Sequence, residues 1–406
     1  MNKTKPLKGI KVIDLSQFMA GPVCGKILAD WGADVIKIEG TSGDPNRSVG
    51  GTIGMPCTED CNPFFGFINY NKRSLAVNLK DPDGMQAMQK LLSKADVFVT
   101  NWRPKALTKI GLDYETLHEK YPRLIWSAVN GFGNYGDEKD NAGYDTVAFW
   151  AKTGFMIDQI EGGENPAIPF YGAGDDTAGA VLAGAVGAGL YQREHTGEGC
   201  QICVPLYGVG IWCSTSAILQ TQYHPEIYPK TRKRPSDPLT NSYRTKDGDW
   251  IMTSVFQNDK LPHYLRALGR EDLIEDPRFC NYNTMLKHRY ELVEILEKAY
   301  EKYSTDEICC RLKNEDIAYN QIMHSVDVHT DPQAIENGMM VEYTHRNGTT
   351  TMIPMPPVMF GDKHELEVRY PYPKVGEQSI EILKEIGFSE KKIRDMLDRK
   401  VITQSK

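Results

Sequence analysis

Short apolar runs recur through the first third of the chain, each followed by sequence with helical spacing. Residues 9–15 (GIKVIDL), 33–39 (ADVIKIE), 75–79, 95–100 (ADVFVT) and 124–129 (LIWSAV) have the length and β-branched content of buried strands. After the first, Ala20-Gly21-Pro22 opens a helix to about Trp31, with proline at its first position and Gly32 as its stop. Asp81-Pro82-Asp83 caps another, whose Met85, Met88, Leu91 and Leu92 share a face. This alternation predicts an α/β fold with a parallel, helix-covered sheet. Ligands in such sheets gather at the carboxyl ends of the strands, here residues 17–21, 40–47, 101–105 and 130–144.

The texture changes past about Tyr223. Residues 224–238 are loop-like, basic and proline-rich, and a hairpin follows around Lys246-Asp247-Gly248-Asp249. Helices are expected at 261–268, 290–300 and 305–312, the last opened by a capping box of Ser304 and Glu307. Capped helices return at 331–338, 377–386 and 389–397. The expected organisation is a large domain over 1–221, a small α+β domain over 222–325, and a return to the large domain over 326–406.

Composition narrows the function classes. The 406 residues carry a formal charge of −7, which argues against nucleic acid or an anionic membrane as a partner. The first residues show no apolar signal region, and the longest mild apolar run, 178–191, is glycine-rich and too short to span a bilayer. A soluble, cytoplasmic protein is therefore expected. Nine cysteines suit a reducing compartment better than a disulfide scaffold. Cys57 and Cys61 with Cys200 and Cys203 make a poor zinc set, because Cys200-Gln-Ile-Cys203 reads as a strand whose third-neighbour positions face opposite sides. Cys309 and Cys310 fall in a helical pattern and are expected in the core. No metal is expected.

Familiar chemical motifs are missing. No G-x-G-x-x-G follows the first strand, and there is no G-x-S-x-G, H-E-x-x-H or P-loop. Gly184-x-x-Gly187-x-Gly189 falls inside a helix, where close packing is the expected role. What stands out is Gly172-Ala-Gly174-Asp175-Asp176-Thr-Ala-Gly179, two acids at the mouth of a small-residue helix. Helix dipole and free amides there favour an ionised carboxylate, the form able to act as a nucleophile. An ordinary N-cap explains the same residues.

Lys5-Pro-Leu-Lys-Gly-Ile-Lys-Val-Ile-Asp14, Ala20-Gly21-Pro22, Gly32-Ala-Asp-Val-Ile-Lys-Ile-Glu39, Gly43-Asp-Pro45 and Asn71-Lys72-Arg73-Ser74 occur in order along the chain. Ala95-Asp96, Gly174-Asp175-x-x-Ala178-Gly179, Thr196-Gly-Glu-Gly199 and Gly376-Glu377 follow. Together they resemble the family III CoA-transferases over nearly the whole chain, with the branch acting on 2-hydroxyacyl-CoA esters of amino-acid fermentation the most similar. The resemblance implies a Rossmann-like large domain built from N- and C-terminal parts, a small α+β domain and an intertwined homodimer. It implies Asp175 as the nucleophile, passing through an aspartyl anhydride and an aspartyl-CoA thioester. A coenzyme A ester is then a substrate, and no cofactor is held permanently. Backbone amides of residues 172–174, or of a loop of the small domain, are candidate oxyanion donors.

The resemblance places CoA contacts at Phe18, Met19, Ala20, Val77, Lys80, Asn101, Trp102, Lys109 and Tyr144, with Arg103 and Lys105 adding charge. Two departures from family patterns matter. The glycine run of members acting on oxalate is absent around residues 236–241, and Tyr144 stands where the related acyl-CoA racemases carry a proton-transferring histidine. Both weaken the alternatives, of which an acyl-CoA epimerase is one. A non-catalytic acyl-CoA-binding protein is another, but it has no need of the acid at Asp175. Segments expected to frame the acyl group are Phe64-Phe65-Gly66-Phe67, Phe149-Trp150, Phe155-Met156 and Phe170-Tyr171, aromatic and free of Arg and Lys. They favour an apolar, medium-sized acyl chain over a dicarboxylate.

Overall fold

The computed structural model describes residues 5–163, 165–225, 228, 230–361 and 368–405. The chain forms two units, one of Met1–Thr153, Pro169–Thr215 and His329–Lys406, the other of Gly154–Ile168 and Ser216–Val328. The second unit therefore takes in Gly154–Ile168, a segment that the sequence pattern does not set apart.

In the first unit, β1 (Lys11–Leu15), β2 (Asp34–Glu39), β3 (Lys72–Val77), β4 (Val97–Thr100), β5 (Ile125–Asn130) and β6 (Gln201–Pro205) are all parallel. Their order is β3-β2-β1-β4-β5-β6, and Ile402–Thr403 adds a short antiparallel strand beyond β3. Val12 pairs with Val35 on one side and Val97 on the other. Each of these valines is at most 1% exposed, as expected for strands covered on both faces. One face carries the helix Pro82–Leu92 and the C-terminal helices Ser379–Glu385 and Glu390–Asp398, whose Met88, Leu91, Ile382, Leu383 and Met396 share a core with Ile36, Leu75 and Phe98. The chain's end thus completes the sheet and the core that its beginning starts.

The helices Ala20–Asp30 and Ala173–Thr196 pack tightly on each other. At Gly179 a β-carbon would fall 2.5 Å from Val23 Cγ1 and 2.8 Å from the Ala20 carbonyl, so only glycine permits this approach. The expected packing role of the later glycines holds at Gly189, where a β-carbon would meet Ile202 and Cys200, whereas Gly184 and Gly187 face open space.

β3 begins at Lys72, three residues before the apolar run that marks it in sequence, because Lys72 is buried as the partner of Asp14. The antiparallel pair Met340–Thr344 and Thr350–Pro354 has no counterpart in the expected elements, although Asn347-Gly348 at its turn is a recognisable hairpin signal.

The second unit has its own core, in which Tyr243, Tyr264, Phe279, Leu292 and Tyr300 are buried. It holds a three-stranded antiparallel sheet of Asn241–Arg244, Trp250–Thr253 and Tyr319–Gln321. The helix Thr305–Asn314 opens with the expected box of Ser304 and Glu307. Cys310 on that helix is exposed rather than in the core, while Cys309 is partly buried. No helix of the described residues is long and apolar enough to cross a membrane.

Candidate active site

The strand order reverses between β1 and β4, so their carboxyl ends open a crevice in which α/β sheets bind ligands. The loops leaving the two strands are pinned to each other. Gln17 N–H donates to Asn101 Oδ1 at 3.0 Å, and Asn101 Nδ2 returns a bond to the Gln17 carbonyl at 2.6 Å. Phe18 takes a left-handed backbone conformation, φ 61°, and its ring meets Tyr144 edge-on with centroids 5.8 Å apart. Ala20 then begins a helix with no side-chain cap and no acid in its first turn. Its positive end is therefore uncompensated.

The loop after β5 crosses itself at Gly131 and Gly143, where a β-carbon on either would come within 2.7 Å of the other's Cα. That crossing delivers Tyr144 and Asp145. The Asp145 carboxylate is buried and accepts from Gly172 N–H at 2.8 Å and Gly174 N–H at 3.0 Å. It is Asp145 that caps the long helix Ala173–Thr196. The N-cap position itself is Gly172, φ 89°, so neither Asp175 nor Asp176 is the cap that their sequence position suggests. The candidate oxyanion amides of residues 172–174 already have acceptors. Those of Gly172 and Gly174 belong to Asp145, and Ala173 N–H points to the Phe170 carbonyl.

Asp175 occupies the first turn and is one of the residues lining the cavity. Its ionisation runs opposite to the sequence expectation. Burial, then the charges of Asp145 and Asp176, push it up to about 8. The dipole favours the carboxylate, but the amides that would stabilise it are spent on a neighbouring acid. Asp176 is pushed up to about 7 by burial and by Asp145, yet it is exposed, so water weakens the shift.

The cavity has a volume of about 440 Å³. It brings together Phe18, Met19, Ala20, Asn101, Trp102, Tyr144 and Asp175, seven of the residues singled out in sequence. Arg103 and Lys139 supply positive charge in its wall. Lys109 lies instead in a neighbouring pocket, to which Lys139 also contributes. Val77 and Lys80 line neither. Val77 is 2% exposed with its side chain in the sheet core, and Lys80 lies on the surface past the end of β3.

None of the aromatic segments expected around the acyl group is among the residues lining this cavity. Phe65 is buried against Tyr372 and beneath the Arg47 guanidinium, and Phe149 packs under Gly174, where core packing decides their place. Phe155 and Met156 belong to the second unit, while Phe170 and Tyr171 are exposed. Asp145 escaped sequence reasoning, although it follows Tyr144 directly. A capping carboxylate 27 residues before its helix leaves no local signal.

Residues 7–379 match the family described as CoA-transferase family III. The chain is 38% identical to the (R)-2-hydroxy-4-methylpentanoate CoA-transferase of Clostridioides difficile, covering 98% of this chain and 99% of that one. It is 34% identical to the cinnamoyl-CoA:phenyllactate CoA-transferase of Clostridium sporogenes, covering 97% of each. Among solved structures, a CAIB/BAIF family protein from Brucella suis superposes with a TM-score of 0.78 at 27% identity, over 95% of this chain and 100% of that one. The chain belongs to CoA-transferase family III and is an enzyme of that class.

Proposed function

We propose that this enzyme moves CoA between an acyl-CoA and a free 2-hydroxy acid, with Asp175 as the nucleophile. The observation that carries the reading is the placement of Asp175. Asp175 lines the crevice at the strand switch point, and Asp145 rather than Asp175 caps the helix.

The Asp175 carboxylate attacks the donor thioester carbon, the C–S bond breaks, and an aspartyl anhydride and CoA thiolate result. Thiolate attacks the aspartyl carbonyl, giving an aspartyl-CoA thioester and free donor acid. The acceptor carboxylate then attacks that thioester, releasing thiolate and forming a second anhydride. Thiolate finally attacks the acceptor's acyl carbon, which yields the new CoA ester and restores Asp175. Splitting the exchange in this way replaces one difficult step with several easier ones.

Arg103 and Lys139 suit the phosphates of CoA, as does the uncapped end of the helix Ala20–Asp30. Trp102 offers a flat apolar surface at the end of β4. The choice of a 2-hydroxy acid, of the 2-hydroxyisocaproate or phenyllactate type, is supported by the names of the two relatives above. A homodimer is part of this reading, supported by the large exposed rings Tyr191 and Trp212. Sedimentation at micromolar concentration tests it, and a monomer contradicts it.

The test of the reaction is to mix an acyl-CoA with a second carboxylic acid and follow the new CoA ester by mass. Wild type forms it and Asp175→Asn does not. Turnover by freshly purified Asp175→Asn, with deamidation excluded by mass, rules out the nucleophile.

A further inference from the structure

Beneath the loop that leaves β1 lies a set of buried charges that the transfer chemistry does not use. Asp14, Lys37, Glu39, Asp44 and Lys72 are each at most 5% exposed. Lys37 Nζ pairs with Asp44 Oδ2 at 2.7 Å and donates to the Ser16 carbonyl at 3.0 Å. Asp44 Oδ1 accepts Phe18 N–H at 3.2 Å and Asn46 N–H at 2.9 Å. Asp44 is itself held in place, since its own N–H donates to Glu39 Oε2 at 2.9 Å. Glu39 in turn is gripped by Arg47 and by Ser74 Oγ, at 2.8 and 2.6 Å.

The residue at the end of this chain of contacts is Phe18, whose left-handed backbone is one that non-glycine residues seldom adopt. Such conformations persist only where the surroundings impose them, and they concentrate at functional sites. Here Asp44 holds the Phe18 N–H, Asn101 holds the neighbouring Gln17, and the Phe18 ring lies against Tyr144 in the cavity wall.

We propose that Asp44, locked by Lys37, is a positioning residue for CoA transfer that holds Phe18 in the conformation the acyl-CoA cavity requires. The proposal rests on the reading that this cavity takes the acyl-CoA. Burial works against the charge on Lys37, but Asp44, Asp14 and Glu39 outweigh it and keep the ammonium above the ordinary lysine range. The clamp is therefore intact throughout the working pH range.

The test compares two double variants of the full chain. Lys37→Met with Asp44→Asn removes both charges but leaves a carbonyl oxygen for Phe18 N–H. Removing both charges together avoids the unpaired buried charge that either single change would leave. Lys37→Met with Asp44→Ala removes the acceptor as well. The expected result is a KM for acyl-CoA about tenfold higher in the alanine form than in the asparagine form, with kcat within about twofold. Should the alanine form be unstable, Lys37→Met with Asp44→Gly gives the same contrast, because glycine also lacks an acceptor for Phe18 N–H but is well tolerated at an N-cap. A purely structural role lowers thermal stability and leaves the two KM values alike. KM values within about twofold of each other, alongside an inactive Asp175→Asn, overturn the proposal alone. An active Asp175→Asn overturns the reading of the site on which it rests.

Discussion

Gly174 lies so close to Asp145 that a β-carbon on it would sit 2.3 Å from the Asp145 carboxylate oxygen. The same atom would fall 2.4 Å from Phe149 Cγ. Gly174→Ala therefore has to push the cap away from the helix that carries Asp175. We expect a loss of about 1–3 kcal/mol, as for overpacked cores, together with most of the CoA-transfer rate. Gly184→Ala on the same helix is the control, since its β-carbon meets nothing within 4 Å. There the gain in helix propensity stabilises by up to about 1 kcal/mol. Thermal unfolding and a transfer assay on both variants check the contrast.

The pH dependence follows from the crowding of acids. Asp175 is pushed up to about 8 by burial and by Asp145 and Asp176, and only its carboxylate can attack a thioester. The kcat/KM of the free enzyme should therefore rise with pH and level off above about 8. The charged and titratable groups sharing the site are Asp145 and Tyr144 from the loop after β5, Asp176 from the long helix, and Arg103 and Lys139 in the cavity wall. Asp176→Asn removes one repelling charge, so its profile moves to lower pH while turnover persists. A profile flat from pH 6 to 9, or an inactive Asp176→Asn, contradicts this assignment.

Stability carries the opposite sign. A carboxyl raised in the folded state keeps its proton while the unfolded chain has already ionised. Its contribution is fully present below the unfolded value and is lost as pH rises towards the folded one, about 8 for Asp175. Asp175→Asn should thus match wild type in melting temperature near pH 4 and exceed it at pH 8. The expected gain is about 3 °C. An equal melting difference at both pH values contradicts the raised value for Asp175, whose side chain is half-buried.

Much of the sheet was legible because β1, β2, β4 and β5 are apolar runs flanked by turn residues. Residues 9–15 and 33–39 needed only trimming to become β1 and β2, and 124–129 shifts by one residue to become β5. β3 was placed late because hydrophobic patterning cannot recognise a lysine that belongs in a core, and Lys72 is buried through its bonds to Asp14, Asn69 and the Pro22 carbonyl. At the site, the motif pointed to Asp175 and to the loops after β1 and β4. Its electrostatics were misjudged because burial, the larger cause, is set by the tertiary fold, and the second, Asp145, acts across 29 residues of sequence. The aromatic segments failed for a related reason. Phe65 and Phe149 look the same in sequence whether they wall a pocket or fill a core.

Substrate choice is tested by comparing kcat/KM for acceptor acids with one acyl-CoA donor. We expect 2-hydroxyisocaproate or phenyllactate to exceed succinate and oxalate by at least about tenfold. Apolar sites separate similar acyl chains only weakly, so the margin between the two favoured acids should be smaller. A clear preference for succinate contradicts the 2-hydroxy acid assignment and leaves the role of Asp175 intact.

The central claim is that the acyl group and CoA pass through Asp175. Hydroxylamine added to enzyme turning over an acyl-CoA captures an activated aspartyl carbonyl as a stable hydroxamate, which peptide mass mapping locates. A single hydroxamate is expected on Asp175, requiring acyl-CoA and absent from Asp175→Asn. A hydroxamate on Asp176, or none on Asp175 while exchange continues, contradicts it.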